Sequence, residues 1–192
     1  MAVNKMEVRK RFFINLIAKK IKEDIIDKNS DLDIIKTVSI GDLDLMPSPE
    51  TLQHRNTAKK FLPAIYILPE NVHNTTVNAN KSISSGLYSY TLRYVHYYDY
   101  EDTTDNVENA IDIAETIADT LLADNNMAEL GTSYVTLSDK GKDIGHILNT
   151  DVTNIYFNTL DTQVFKTLKL PVIVIDIDYV VTFRSMLVKG VQ

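Results

Sequence analysis

The chain has 192 residues, 44% of them hydrophobic and 24% charged, with six Gly and five Pro; this is the composition of a folded protein with a real core, not of a disordered, collagen-like or low-complexity chain. It has no Cys, no Trp and only four His (His54, His73, His96 and His146), which excludes a disulfide framework, a thiolate metal site and a cysteine nucleophile. The net charge is −6, and it is unevenly spread. Residues 1–28 hold eight basic and four acidic residues, a net of +4, so the remainder carries −10.

The N-terminus carries a periodic pattern. Over residues 6–28, Phe13, Ile17, Ile21 and Ile25 recur every four positions, joined by Leu16 and Ile26, which predicts an amphipathic helix. Basic residues, among them Arg9, Lys10, Arg11, Lys19 and Lys20, fill the other side. The plain reading is a solvated lysine face, and the sharper one is a contact for a neighbouring subunit or partner. Lys19 and Lys20 interrupt the apolar run and no small-residue cleavage site follows, so it does not read as a signal peptide. No apolar run reaches membrane-spanning length. The expectation is a protein made in the cytoplasm, without membrane partners.

Strands are expected at 33–40 and 61–68, where Pro63 marks an edge or strand start. The stretch 41–60, broken by Gly41, Pro47 and Pro49, reads as a long connection, and 70–86 as a polar loop without periodicity. Residues 87–100 alternate, with Tyr88, Tyr90, Leu92, Tyr94, His96, Tyr98 and Tyr100 on one face. Such a tyrosine strip suits a sheet face covered by a helix or an interface between chains, so Tyr88, Tyr90 and Tyr94 are candidate contacts.

The clearest helix is 105–124. Asp105 with Glu108 forms a capping-box variant at its start. Val107, Ala110, Ile111, Ala114, Ile117, Ala118, Leu121 and Leu122 form the apolar stripe, and Glu108, Asp112, Glu115 and Asp119 an acidic ridge. Like charges four apart cost a few tenths of a kcal/mol per pair, on the order of 0.2–0.5. Further strands are expected at 132–138, 152–158 and 170–184, with a turn and short excursion at 139–149 and a helical turn or loop at 161–168. In the last strand Ile173, Ile175, Ile177, Tyr179, Val181 and Phe183 share the core face.

This order is not a βαβ alternation. It predicts a single α+β domain over residues 1–192: a mixed, mostly antiparallel sheet with two main helices packed on one face.

Chemistry is sparse. Asp176 and Asp178, two apart on a strand, point to one face and are the sharpest catalytic candidate, a pair that could share a divalent cation as in a small metal-dependent nuclease. No third carboxylate or lysine completes such a motif. No nucleotide-binding glycine loop, nucleophile elbow or zinc-protease motif occurs. His96 has no carboxylate partner in the pattern and reads as a packed histidine. The reading is therefore a non-enzymatic protein with no metal and no cofactor, and its acidic body disfavours a grip on nucleic acid.

The layout resembles the tail terminator (tail-completion) proteins of long-tailed bacteriophages. The segments that carry the likeness are the first helix ending in IAKKIKEDI, the strand near 61–68 and the tyrosine strand at 87–98. With them go the helix VENAIDIAETIADTLLA at 107–123 and the closing strand PVIVIDIDYVVTF at 171–183. The resemblance implies a virion protein of the tail or neck. It implies a homo-oligomeric ring, usually a hexamer, which caps the tail tube and joins it to the neck connector, with tube and connector proteins as partners. DNA passes through such a ring without specific binding, so an acidic wall is favourable, and Glu108, Asp112, Glu115 and Asp119 are its candidates. A closed ring needs two different patches per subunit. Another neck or tail-tube component is the nearest alternative; the nuclease, or a binding module using the tyrosine face, are those of another class.

Overall fold

The computed structural model describes residues 5–41, 61–77, 83–97, 103–123, 136–139, 142–158 and 172–186. The fold is α+β. A six-stranded sheet runs in the order β1 (Thr37–Ile40), β2 (Ala64–Val77), β3 (Ile83–Tyr97), β6 (Val172–Met186), β5 (Lys142–Asn158), β4 (Thr136–Asp139). Only β1 and β2 are parallel; the other four pairings are antiparallel. Helices α1 (Lys5–Lys20) and α2 (Thr103–Ala123) pack on one face, α1 over β1 and β2 and α2 over β5 and β6.

The four-residue spacing of α1 does what it predicts. Phe13, Ile17, Ile21 and Ile25 are all fully buried. The last two lie in a wider π-helical turn, Ile21–Ile26, closed by Asp27 N–H donating to the Lys22 carbonyl at 3.1 Å. A short 3-10 turn, Ser30–Leu32, then leads to β1, which starts at Thr37 rather than at residue 33. Gly41 closes that strand with φ 103°, a left-handed conformation glycine adopts without steric cost, and its N–H reaches the Ile67 carbonyl at 3.0 Å.

Helix α2 begins at Thr103, so Asp105 lies in its first turn and is not the cap. An acid there still faces the positive end of the helix dipole. Ala110, Ala114, Ile117, Ala118 and Leu121 are buried as the stripe requires, and so is Ile113. Leu122, placed in the stripe by its spacing, is exposed, and Val107 and Ile111 are half-buried.

Cross-strand register sets the core. Tyr88 faces Val181, Tyr90 faces Tyr179, Leu92 faces Ile177 and Tyr94 faces Ile175, and all eight are buried with the helices' apolar stripes in one cluster. The Phe13 and Tyr88 rings lie 4.8 Å apart and tilted by 45°, a contact worth about 1 kcal/mol beyond the area it buries. The opposite sheet face carries a smaller cluster of its own: Leu62, Ala64, Tyr66, Val95, Val172 and Val174.

Two expectations fail for one reason. Most of the stretch 70–86 is strand and not loop: β2 runs through Val77 and β3 starts at Ile83, with 78–82 outside the described residues. The stretch 139–149 is mostly strand, because β5 begins at Lys142 and continues unbroken to Asn158. In both, bulges shift the register, between Pro69 and Val72 and between Asn74 and Thr76 in β2, and between Ile147 and Asn149 and between Val152 and Asn154 in β5. An extra residue at a bulge exchanges the faces of all that follows, so period-2 alternation is lost although the ladder continues. The stretch 42–60, the turn at 161–168 and the tyrosines at 98 and 100 lie outside the described residues.

Candidate functional site

The acidic ridge is where the sequence placed it. Glu108, Asp112, Glu115 and Asp119 are exposed along one stripe of α2, opposite the buried side. The helix contains five acids and no Lys, Arg or His over Thr103–Ala123, so nothing within it offsets them. Thr116 and Thr120 donate their hydroxyls to the carbonyls four residues back, at 2.7 and 2.8 Å, which satisfies them along a neighbouring flank.

Beside the ridge lies a groove that spacing alone did not reveal. About 410 Å³ in volume, it is lined by Glu115, Ala118, Asp119 and Leu122 of α2 and by Val152–Ile155 of β5. Pairing of Val152 with Tyr179 and of Ile155 with Ile177, both core-facing, puts the two side chains on the helix side of the sheet. Neither is fully covered. Phe157, on the same side opposite Ile175, is 43% exposed, as is Leu122 across the groove. The result is a groove whose apolar part is Leu122, Val152 and Ile155, with Thr153 and Asn154 beside them and two carboxylates at its rim. The bulge at Thr153 hides this in the sequence, because Val152 and Ile155 are three apart and not two.

The outer edge of β5 also has no strand beside it there, among the described residues. Among the described residues its only neighbour on that side is β4, which pairs with Lys142–His146 and no further. Open edges of this kind expose unpaired backbone groups and in stable proteins are covered.

The other candidates separate. Lys19 is exposed and sits 3.5 Å from Glu23 one turn on. Lys20, expected on the basic surface, is only 1% exposed and has partners inside the chain. It follows directly from the helical angle: position 20 lies beside Phe13 and Ile17 on the buried side. Arg9, Lys10 and Arg11 are in the first half of α1, and their side chains lie outside the described residues. Tyr88, Tyr90 and Tyr94 are buried under the helices, which corrects their reading as surface contacts: the cover over the tyrosine face is this chain's own helical layer.

Burial shapes their chemistry. It raises the phenols of Tyr90 and Tyr94 well above the ordinary range and pushes Tyr66, in the cluster on the other face, up to about 12. Tyr94 Oη and His96 Nδ1 share a buried 2.7 Å hydrogen bond, and burial pushes the imidazole down to about 4, so His96 is neutral at pH 7. A neutral buried histidine tied to a tyrosine is a packing element, as its pattern indicated.

Asp176 and Asp178 share a face but have different surroundings. Asp176 accepts from Arg93 Nε at 2.8 Å and from its second guanidinium nitrogen at 3.0 Å, a bidentate pair across the β3–β6 register. Thr91 Oγ1 lies 2.5 Å from Glu70 Oε1 and 3.3 Å from Asp178 Oδ1. A hydroxyl has one proton, and the shorter distance assigns it to Glu70. Among the described residues no three His, Cys, Asp or Glu side chains are grouped to hold a metal ion.

Neither protein-family models nor curated proteins give a match to this chain. No helix among the described residues is long and apolar enough to cross a membrane.

Proposed function

We propose that the protein is a structural component of a tailed-bacteriophage virion, a tail terminator whose copies form a ring that caps the tail tube and joins it to the neck. The observation that supports this best is the uncompensated acidic ridge of α2 on a mixed sheet with a two-helix layer. A channel for DNA works best when it repels the phosphates. A basic lining would hold DNA through counterion release, and a row of carboxylates does the opposite. The β5 edge, unpaired there among the described residues, and the groove beside it fit a subunit that is finished by its neighbours.

The nuclease alternative has less support. A two-metal site needs carboxylates with free oxygens, and both oxygens of Asp176 are committed to Arg93. The binding-module alternative relied on an accessible tyrosine face, and that face is the core.

Negative-stain imaging across a concentration series tests the proposal. Rings with a central opening are expected as concentration rises. Particles without an opening at every concentration would refute it.

A further inference from the structure

The groove between α2 and β5 has Leu122, Val152 and Ile155 in its lining and Glu115 and Asp119 at its rim, and among the described residues nothing fills it. Leu122 in its lining is 43% exposed, as is Phe157 farther along β5, an apolar surface for a partner to cover, and Glu115 and Asp119 select a basic one. The chain itself contains a segment of that chemistry. Residues Lys5–Arg11 hold Lys5, Arg9, Lys10 and Arg11 against one acid, Glu7, a net of +3, with Met6, Val8 and Phe12 interleaved. Residues 16–22 and 54–60 also reach +3, but Lys20 of the first is buried and the second lies outside the described residues, so the segment taken is 5–11. It forms the first turns of α1, and α1 lies over β1 and β2, toward the other edge of the sheet from β5.

We propose that the α2–β5 groove of one copy is the seat for the N-terminal turns of α1 of a second copy. Rim carboxylates Glu115 and Asp119 meet the arginines and lysines, and Leu122, Val152 and Ile155 take the interleaved apolar side chains. Groove and basic turns lie toward opposite edges of the one helix-covered face and are different patches, so the contact is taken as heterologous, with each copy using both patches once. Such a contact propagates from copy to copy and closes into a ring or extends into a filament. The inference rests on the ring reading and refines it: Glu115 and Asp119 belong to a subunit contact, and Glu108 and Asp112 are left for the channel wall. It also accounts for the like-charge cost within α2, because the neighbour supplies the missing cations.

A charge exchange between two variants tests it. One carries Glu115→Lys and Asp119→Lys, the other Arg9→Glu, Lys10→Glu and Arg11→Glu. Each alone is expected to need at least tenfold more protein to associate, as read by sedimentation velocity. An equimolar mixture is expected to recover association, because each reversed groove then meets a reversed helix; a misfolded variant would not be rescued by mixing. Since the chain has no Cys, Met6→Cys and Leu122→Cys variants can be joined by a short bismaleimide, and the mixture is expected to give a cross-linked dimer. Association of both charge variants as tight as wild type, or no rescue on mixing, would overturn the inference. Rings without the cross-link would overturn this contact and leave the ring reading standing. Rescue and cross-linking without closed rings would do the reverse. A wild type that neither associates nor cross-links removes both.

Discussion

His96 and Arg93 show how single residues on β3 carry consequences for the whole fold. His96 is held neutral by burial, with its pKa pushed down to about 4 from 6.5. In the unfolded chain it binds a proton below about 6.5, so between pH 6.5 and 4 the unfolded state holds more protons than the native one. Stability therefore falls as pH drops through that window, by roughly 3 kcal/mol in all. Urea unfolding from pH 7 to 4 is expected to show this slope, and His96→Gln to flatten it. On the other sheet face, Arg93→Ala leaves a largely buried Asp176 without its cation and is expected to cost about 2–3 kcal/mol. Arg93→Met combined with Asp176→Leu is expected to recover most of that, because both charges then leave together. A double-mutant cycle by urea unfolding checks both values.

Among the elements, α2 separates folding from assembly. Its buried stripe carries the packing, so Ile117→Ala is expected to cost about 2–4 kcal/mol, read from the denaturant midpoint. Its ridge carries charge and little packing. Glu115→Lys relieves repulsion with Asp119 four residues on and places a lysine within reach of Asp112 and Asp119. It is expected to raise thermal stability slightly, by a few tenths of a kcal/mol, while weakening association through the groove. A variant that is more stable yet assembles less well would mark the ridge as functional; one that loses both would make it a folding element. Elements with clean periods were legible in the sequence: the four-residue spacing of α1, the stripe of α2, and the alternation of β3 and β6. Elements with bulges were not. A strand such as β5, with two bulges, exchanges faces twice, and Val152 and Ile155 then look unrelated. The groove is built from that invisible side, together with Leu122, which the apolar pattern put in the stripe but whose helical angle, beside exposed Glu115 two turns back, leaves it exposed. Lys20 was misread the other way: its charge suggested a surface, while its angle beside Ile17 put it inside.

At the scale of the whole molecule, the two helices do not cover the sheet evenly. One layer over β1, β2, β3, β6 and part of β5 leaves, among the described residues, an apolar strip and an unpaired edge on β5, and the acidic ridge runs along the same side. In the proposed ring, identical neighbours arranged head to tail complete a subunit with these features. The sequence carried the material for this in its charge asymmetry, basic over residues 1–28 and acidic beyond. It did not show where the acidic side opens, because that depends on which strands the helices cover. The central claim, that copies of this chain close into a ring, is tested most directly by the absolute mass in solution from light scattering across a concentration series at two ionic strengths. The account predicts a plateau near six chains, about 130 kDa for a 21.8 kDa subunit, reached at higher protein concentration as salt screens the groove contact. A mass that stays at 21.8 kDa throughout the series would contradict it.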